Sequence, residues 1–135
     1  MRALKFIGHN QIFAKDQQEY KQLPAYVDDK GMVTTCWELT DAEVAKIKET
    51  STVKLTVLTF NRPAQPISVN ATRPSFPIDP KIRLMVNPHS WDGDTATFKI
   101  MVIPTALQEI IKNKTFWITT VTYGGPLQPI QGKIN

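Results

Sequence analysis

The sequence predicts an α+β fold dominated by strands, built as two pseudo-repeated β-β-α-β-β units, each with one short helix, around a shared core. Three observations predict it. Short runs rich in β-branched and aromatic residues recur along the chain, and such residues favour a pleated surface. Two stretches near helix length carry helical start signals. Above all, VKLTVLTFNRPAQPISV (Val53 to Val69) is echoed by FWITTVTYGGPLQPIQG (Phe116 to Gly132). Placing Val53 on Phe116 without a gap matches Thr56 with Thr119, Thr59 with Thr122, Pro63 with Pro126, Gln65 with Gln128, Pro66 with Pro129 and Ile67 with Ile130. Self-similarity at a fixed spacing is the sequence signature of a repeated architecture.

The elements follow in order. Leu4 to Ile7 and Gln11 to Ala14 flank Gly8-His9-Asn10 and are expected to form an opening hairpin. After the turn at Asp28-Asp29-Lys30-Gly31, Met32 to Leu39 alternates Val33, Thr35 and Trp37 with Thr34, Cys36 and Glu38, the period of a strand. Thr40-Asp41-Ala42-Glu43 has the form of a capping box, so a helix is expected over Asp41 to Thr50, with Val44 and Ile47 on its apolar stripe. Val53 to Phe60 reads as the next strand. In the second half, Asp92-Gly93 supplies the positive φ of a tight hairpin before a strand over Thr95 to Ile103. Pro104 to Asn113 falls on the first helix at the repeat spacing; Thr105 to Gln108 repeats the cap pattern, and Leu107, Ile110 and Ile111 form the apolar face. Phe116 to Tyr123 closes the set as a strand. Helices this short are marginal alone, so both must dock on the sheets.

The expected organisation is a first unit over residues 1–71, a proline-rich connector over 72–80 and a second unit over 81–135, together making one compact domain. The prolines of TRPSFPIDP (Thr72 to Pro80) fix φ and remove backbone donors, which predicts an extended connector. Each unit ends in Thr-(Phe/Tyr)-x-x-Pro-x-Gln-Pro, at Thr59 to Pro66 and at Thr122 to Pro129. Asn61 and the Gly124-Gly125 pair sit where a reversal requires positive φ. The prolines exclude regular ladder pairing, and Gln65 and Gln128 are placed to satisfy backbone groups stranded beside them.

Composition narrows the function classes. The chain has 135 residues, 41% hydrophobic and 21% charged, with a net charge of +4, enough apolar content for a folded core. No run approaches the length of a membrane helix, and the N-terminus carries no pattern of a secretion signal. One cysteine, Cys36, excludes an internal disulfide framework and a multi-thiolate zinc site. His9 and His89 are far apart and read as turn and loop residues; Asp92 and Asp94 flank Gly93 without the Glu of a calcium loop. Cys36 reads as a small buried hydrophobe, Ser68, Ser75 and Ser90 lie in no nucleophile elbow, and no phosphate or dinucleotide loop is present. No catalytic residue, metal or cofactor is therefore assigned. The basic residues are scattered, whereas nucleic-acid binding more often shows a clustered basic stripe with aromatic platforms; that function is kept as a third reading.

Cys36 to Ile67 reads CWELTDAEVAKIKETSTVKLTVLTFNRPAQPI, preceded by KFIGHNQIFAKDQQEYKQLPAYVDDKGMV. This stretch resembles a family of short, uncharacterised proteins of tailed bacteriophages, over about the first 70 residues. The second half, like a diverged copy, has Lys99-Ile100 in place of Cys36-Trp37. The resemblance implies a viral origin and carries over no catalytic residue.

The leading reading is a non-enzymatic bacteriophage protein, an accessory or decoration subunit of the virion that contacts a capsid or other virion protein. Its contacts are assigned to Phe13, Trp91, Phe60, Tyr123, Pro63 and Pro126, with Trp91 expected to be partly exposed at its hairpin. The alternative is an anti-defence protein of the host cytoplasm that sequesters a small anionic, nucleotide-like ligand between the two turns, through Lys54, Arg62, Tyr123, Gly124 and Gly125. Unpaired sheet edges leave self-association open.

Overall fold

In the computed structural model, residues 1–16, 21–123, 125–131 and 134 are described. In chain order the elements are β1 (Arg2–Leu4), β2 (Gln11–Phe13), β3 (Leu23–Val27), β4 (Met32–Glu38), α1 (Asp41–Thr50), β5 (Thr52–Leu58), β6 (Ile67–Asn70), β7 (Ser90–Asp92), β8 (Thr95–Met101), α2 (Pro104–Asn113) and β9 (Thr115–Val121). The fold is α+β and strand-dominated.

Each helix begins for a local reason. At α1 the Thr40 hydroxyl accepts the Glu43 amide while the Glu43 carboxylate accepts the Thr40 amide, so the box expected from the sequence is formed. At α2 the cap is different. Ile103 is the N-cap and makes no side-chain bond, and Pro104 opens the helix, where a missing N–H does no harm. Thr105 therefore lies inside the first turn, which corrects the cap expected there. Both helices end on a residue in the left-handed region, Ser51 and Lys114, whose amides bond to Ile47 O and Ile110 O. Those two isoleucines are fully buried.

The antiparallel pairings cross between the halves. β4 runs along β9 from Met32↔Val121 to Glu38↔Thr115, and β5 runs along β8 from Thr52↔Met101 to Leu58↔Thr95. The first sheet has the order β2-β3-β4-β9-β6, with β1 also paired to β4; the second has the order β5-β8-β7. Each sheet thus contains strands from both sides of the 72–80 segment. Short bonds join the crossovers in matching fashion: Leu39 N to Lys114 O at 2.7 Å and Val102 N to Ser51 O at 2.8 Å. Cross-strand threonines also match, with Thr34 and Thr119 Oγ1 atoms 2.9 Å apart and those of Thr56 and Thr97 3.4 Å apart.

One core lies between these layers. Trp37, Phe116 and Ile118 from the first sheet meet Val53, Leu55, Val57 and Phe98 from the second, with Ile47 and Ile110 supplied by the helices. Burying side chains of this size stabilises by about 1.5–3 kcal/mol each, which holds helices that would not persist alone.

Two further expectations are corrected. The opening hairpin does not form: β1 pairs with the Cys36–Glu38 end of β4, and β2 pairs with β3. Both short strands find longer partners elsewhere, and non-local pairing outweighs the local turn. The connector is not a bare extended spacer. Phe76 and Ile78, with Ile82 and Leu84, pack against Met32 and Val121 on the face of the first sheet turned away from the main core. Phe76 stacks on Tyr26 with ring centroids 4.2 Å apart, and the Arg73 guanidinium lies 4.7 Å from the Phe76 ring and 5.8 Å from that of Trp117. This strap explains why Met32 to Trp37 is buried throughout rather than on alternate residues.

Glu43 joins three segments. Besides capping Thr40, its Oε2 accepts the Met1 amine at 2.8 Å and the Ile134 amide at 3.2 Å. Burial alone would raise its pKa, but the bonds from the Met1 amine and Thr40 outweigh burial and hold the carboxyl below its ordinary value. A carboxylate with a depressed pKa contributes stability above its unfolded pKa, and that contribution is lost as pH falls through the folded value. Glu43→Gln is expected to destabilise the chain by about 1–2 kcal/mol near neutrality. In urea unfolding measured at both neutral and acidic pH, the gap between variant and parent should shrink as the medium becomes acidic.

Candidate functional site

The turn after β5 and the turn after β9 end strands that lie in different sheets, yet they meet. Thr59 gives both its amide and its hydroxyl to Asp94 O, each at 2.8 Å. Thr122 gives the same two groups to Gly31 O, at 3.0 and 3.3 Å. Each threonine thereby anchors its turn to the hairpin loop of the opposite half. The next residue then adopts the left-handed region: Phe60 at φ 56° and Tyr123 at φ 49°. The turns close through Arg62 N to Thr59 O at 3.1 Å and Gly125 N to Thr122 O at 2.9 Å.

Bulky residues at positive φ are uncommon and cost roughly 1–2 kcal/mol each. Such strain persists where the surroundings over-determine the backbone, and here the threonine anchors do so. Asn61 also has positive φ, at 60°, as the sequence predicts. Gly125 does not, and Gly124 lies outside the described residues; the reversal in the second turn begins one residue earlier, at Tyr123.

Below the turns, Gln65 and Gln128 form a reciprocal clasp. They stand 63 residues apart, and the Gln65 amide donates to Gln128 Oε1 at 2.8 Å. The Gln128 amide donates to Gln65 Oε1 at 3.1 Å. Gln65 Nε2 donates to Pro126 O at 2.8 Å, and Gln128 Nε2 donates to Pro63 O at 2.9 Å and Thr59 O at 3.2 Å. These are the backbone groups that the prolines leave without ladder partners. Both glutamines are buried, so each carbonyl would otherwise carry the full cost of an unsatisfied buried group, about 1–3 kcal/mol.

A groove of about 230 Å³ lies between the turns. Its walls come in matching pairs: Thr59 with Thr122, Phe60 with Tyr123, Pro63 with Pro126, and Gln65 with Gln128. Arg62 opposite Gly125 is the pair that differs in charge. Phe60 is 42% exposed and Tyr123 76% exposed, so both rings stand at the rim.

Of the residues assigned from sequence to partner contact, Phe60, Tyr123, Pro63 and Pro126 come together here. Trp91 does not: it sits on β7 at the edge of the second sheet, 52% exposed, which agrees with the exposure expected of it. Phe13 is on β2 at the edge of the first sheet and half-buried. Of the residues assigned to an anionic ligand, Arg62, Tyr123 and Gly125 line the groove. Lys54 is not among its lining residues, because the alternation of β5 places it opposite Lys99 on the face away from the core. The Gly125 amide is already bonded to Thr122 O and offers nothing to an anion.

His9 and Cys36 are taken up by the fold. His9 Nδ1 lies 2.8 Å from Phe6 O within its turn. Cys36 is buried, and desolvation pushes its thiol up to about 11 despite the nearby Arg73. The sequence reading passed over Arg73 and its aromatic ring contacts; an arginine followed by proline in a connector with a nearby phenylalanine was the available signal. The chain matches no family model, no curated protein and no solved structure.

Two outcomes are expected. Tyr123→Gly should stabilise the chain by about 1 kcal/mol in urea unfolding, because glycine removes the left-handed cost and an exposed ring gives up little packing. The Cys36 thiol should resist a thiol-specific disulfide reagent in the native chain at mildly alkaline pH and react once the chain is unfolded, followed by absorbance.

Proposed function

We propose that this chain is a non-enzymatic binding protein that engages another protein through the groove between its two turns. The single observation that carries this reading is the pair of strained, solvent-facing aromatic turns, with exposed Pro63 and Pro126, above a floor whose hydrogen bonds are internally used. A floor without free donors among its described residues discriminates little among polar ligands. Exposed aromatic rings on a constrained backbone bind apolar protein surface at low entropic cost. Strain retained at exposed positions is the usual mark of a site whose shape matters.

The resemblance of the first half to tailed-bacteriophage proteins extends the proposal. The protein would serve as an accessory or decoration subunit of the virion, and its two halves, which share a strand–helix–strand order around α1 and α2 and the clasp residues Gln65 and Gln128, would be copies of one ancestral unit. The alternative, sequestration of a small anionic ligand, is less well supported. Arg62 is the groove's one cation among the described lining residues, and Lys54 faces elsewhere.

Photo-crosslinking tests the reading. With benzoylphenylalanine in place of Tyr123 or Phe60, infected cells should yield an adduct with one defined virion protein. The same group in place of the exposed Glu49 on α1 should yield none. Equal adducts from all three positions, or none, would refute the groove as the contact. Absence of the chain from purified particles by mass spectrometry would refute the virion assignment.

A further inference from the structure

The face of the second sheet turned away from the core carries a second, independent feature. On β5 and β8 the pairs Val53↔Ile100, Leu55↔Phe98 and Val57↔Ala96 alternate with Lys54↔Lys99, Thr56↔Thr97 and Leu58↔Thr95. The first set enters the core, so the pleat turns the second set outward. The corresponding face of the first sheet is covered by the strap bearing Phe76, Ile78, Ile82 and Leu84. Among the described residues, no such apolar cluster covers the Lys54 face.

Lys54 and Lys99 are direct cross-strand partners. Neither forms an ion pair with a described residue; the ion pairs among those residues involve Met1, Arg2 and Lys114. Like charges placed directly opposite each other oppose folding, and an anionic group seated between them would relieve that opposition. Among the described residues the face around them is neutral: Thr56 is buried, Thr97 and Leu58 are half-buried, and Met101 is 76% exposed. Phe98 turns inward, so β5 and β8 offer no ring on which a base would stack. Asp92 stands beside Thr95 at the other end of the face, where it would repel a continuous phosphate backbone.

We propose that this face docks an acidic segment of another protein, whose carboxylates lie over the Lys54–Lys99 pair. The proposal does not depend on the groove. The charge arrangement favours an acidic peptide over nucleic acid, because among the described residues the positive potential is confined to the Lys54–Lys99 end and the rest of the face is uncharged or negative.

Chemical-shift titration of the full isotope-labelled chain tests it, with decaglutamate, decaglutamine and oligothymidylate as probes. Decaglutamate should shift the amides around Lys54 and Lys99, residues 53–55 and 98–100, with affinity that falls as salt rises, and decaglutamine should not. The double variant Lys54→Gln/Lys99→Gln should bind decaglutamate about fivefold more weakly, while Tyr123→Ala should bind it as the parent does. The double variant should also melt no lower than the parent, which shows that lost affinity is not lost folding. Shifts spread over lysines elsewhere, equal response to decaglutamine, tighter binding of oligothymidylate on this face, or a lower melting temperature of the double variant would overturn the proposal.

Discussion

The bonds exchanged by Gln65 and Gln128 are the constraint on which the rest depends. Prolines on either side remove ladder donors, and the backbone carbonyls of Pro63 and Pro126 are left facing inward. A water-filled gap there would separate the two turns. The paired amides close it instead, each side chain completing the other's backbone. Because the residues come from opposite halves, the same bonds that satisfy the prolines also fix the distance between the two aromatic turns.

The crossed pairing of strands works in the same direction. With β4 on β9 and β5 on β8, neither half has a complete sheet without the other. The turns after β5 and β9 are therefore brought together by the main topology, and the threonine anchors to Asp94 and Gly31 set their conformation. Stability gained in the core is large beside the strain at Phe60 and Tyr123, which is why two exposed aromatics can be held in a backbone region that most side chains avoid. The chain carries a local cost at its surface, and that cost sets the backbone of the rim.

How much of this was legible in the sequence follows from how local each signal is. The extents of α1 and α2 were readable because the Thr40–Glu43 box and Pro104 act within one turn. The role of Gln65 and Gln128 was readable because both sit between prolines at matching positions in a repeated string. The opening hairpin was not, since β1 and β2 are too short to hold each other and their true partners lie some way along the chain. The strap was missed for a related reason: proline content announces an extended backbone but does not say which sheet face it crosses. Lys54 was assigned to the groove because it lies only a few residues from the turn, whereas the pleat turns it to another surface. Trp91 was read correctly as exposed, because a three-residue edge strand has little core to enter.

The most direct measurement is a double-mutant cycle on the clasp, with Gln65→Leu, Gln128→Leu and the pair compared with the parent in urea unfolding. The account expects each single variant to be strongly destabilised and the two effects to be coupled by about 1–3 kcal/mol, as residues sharing one hydrogen-bond network are. Strictly additive effects would contradict it, since the two glutamines would then act separately and the turns would owe their spacing to something else.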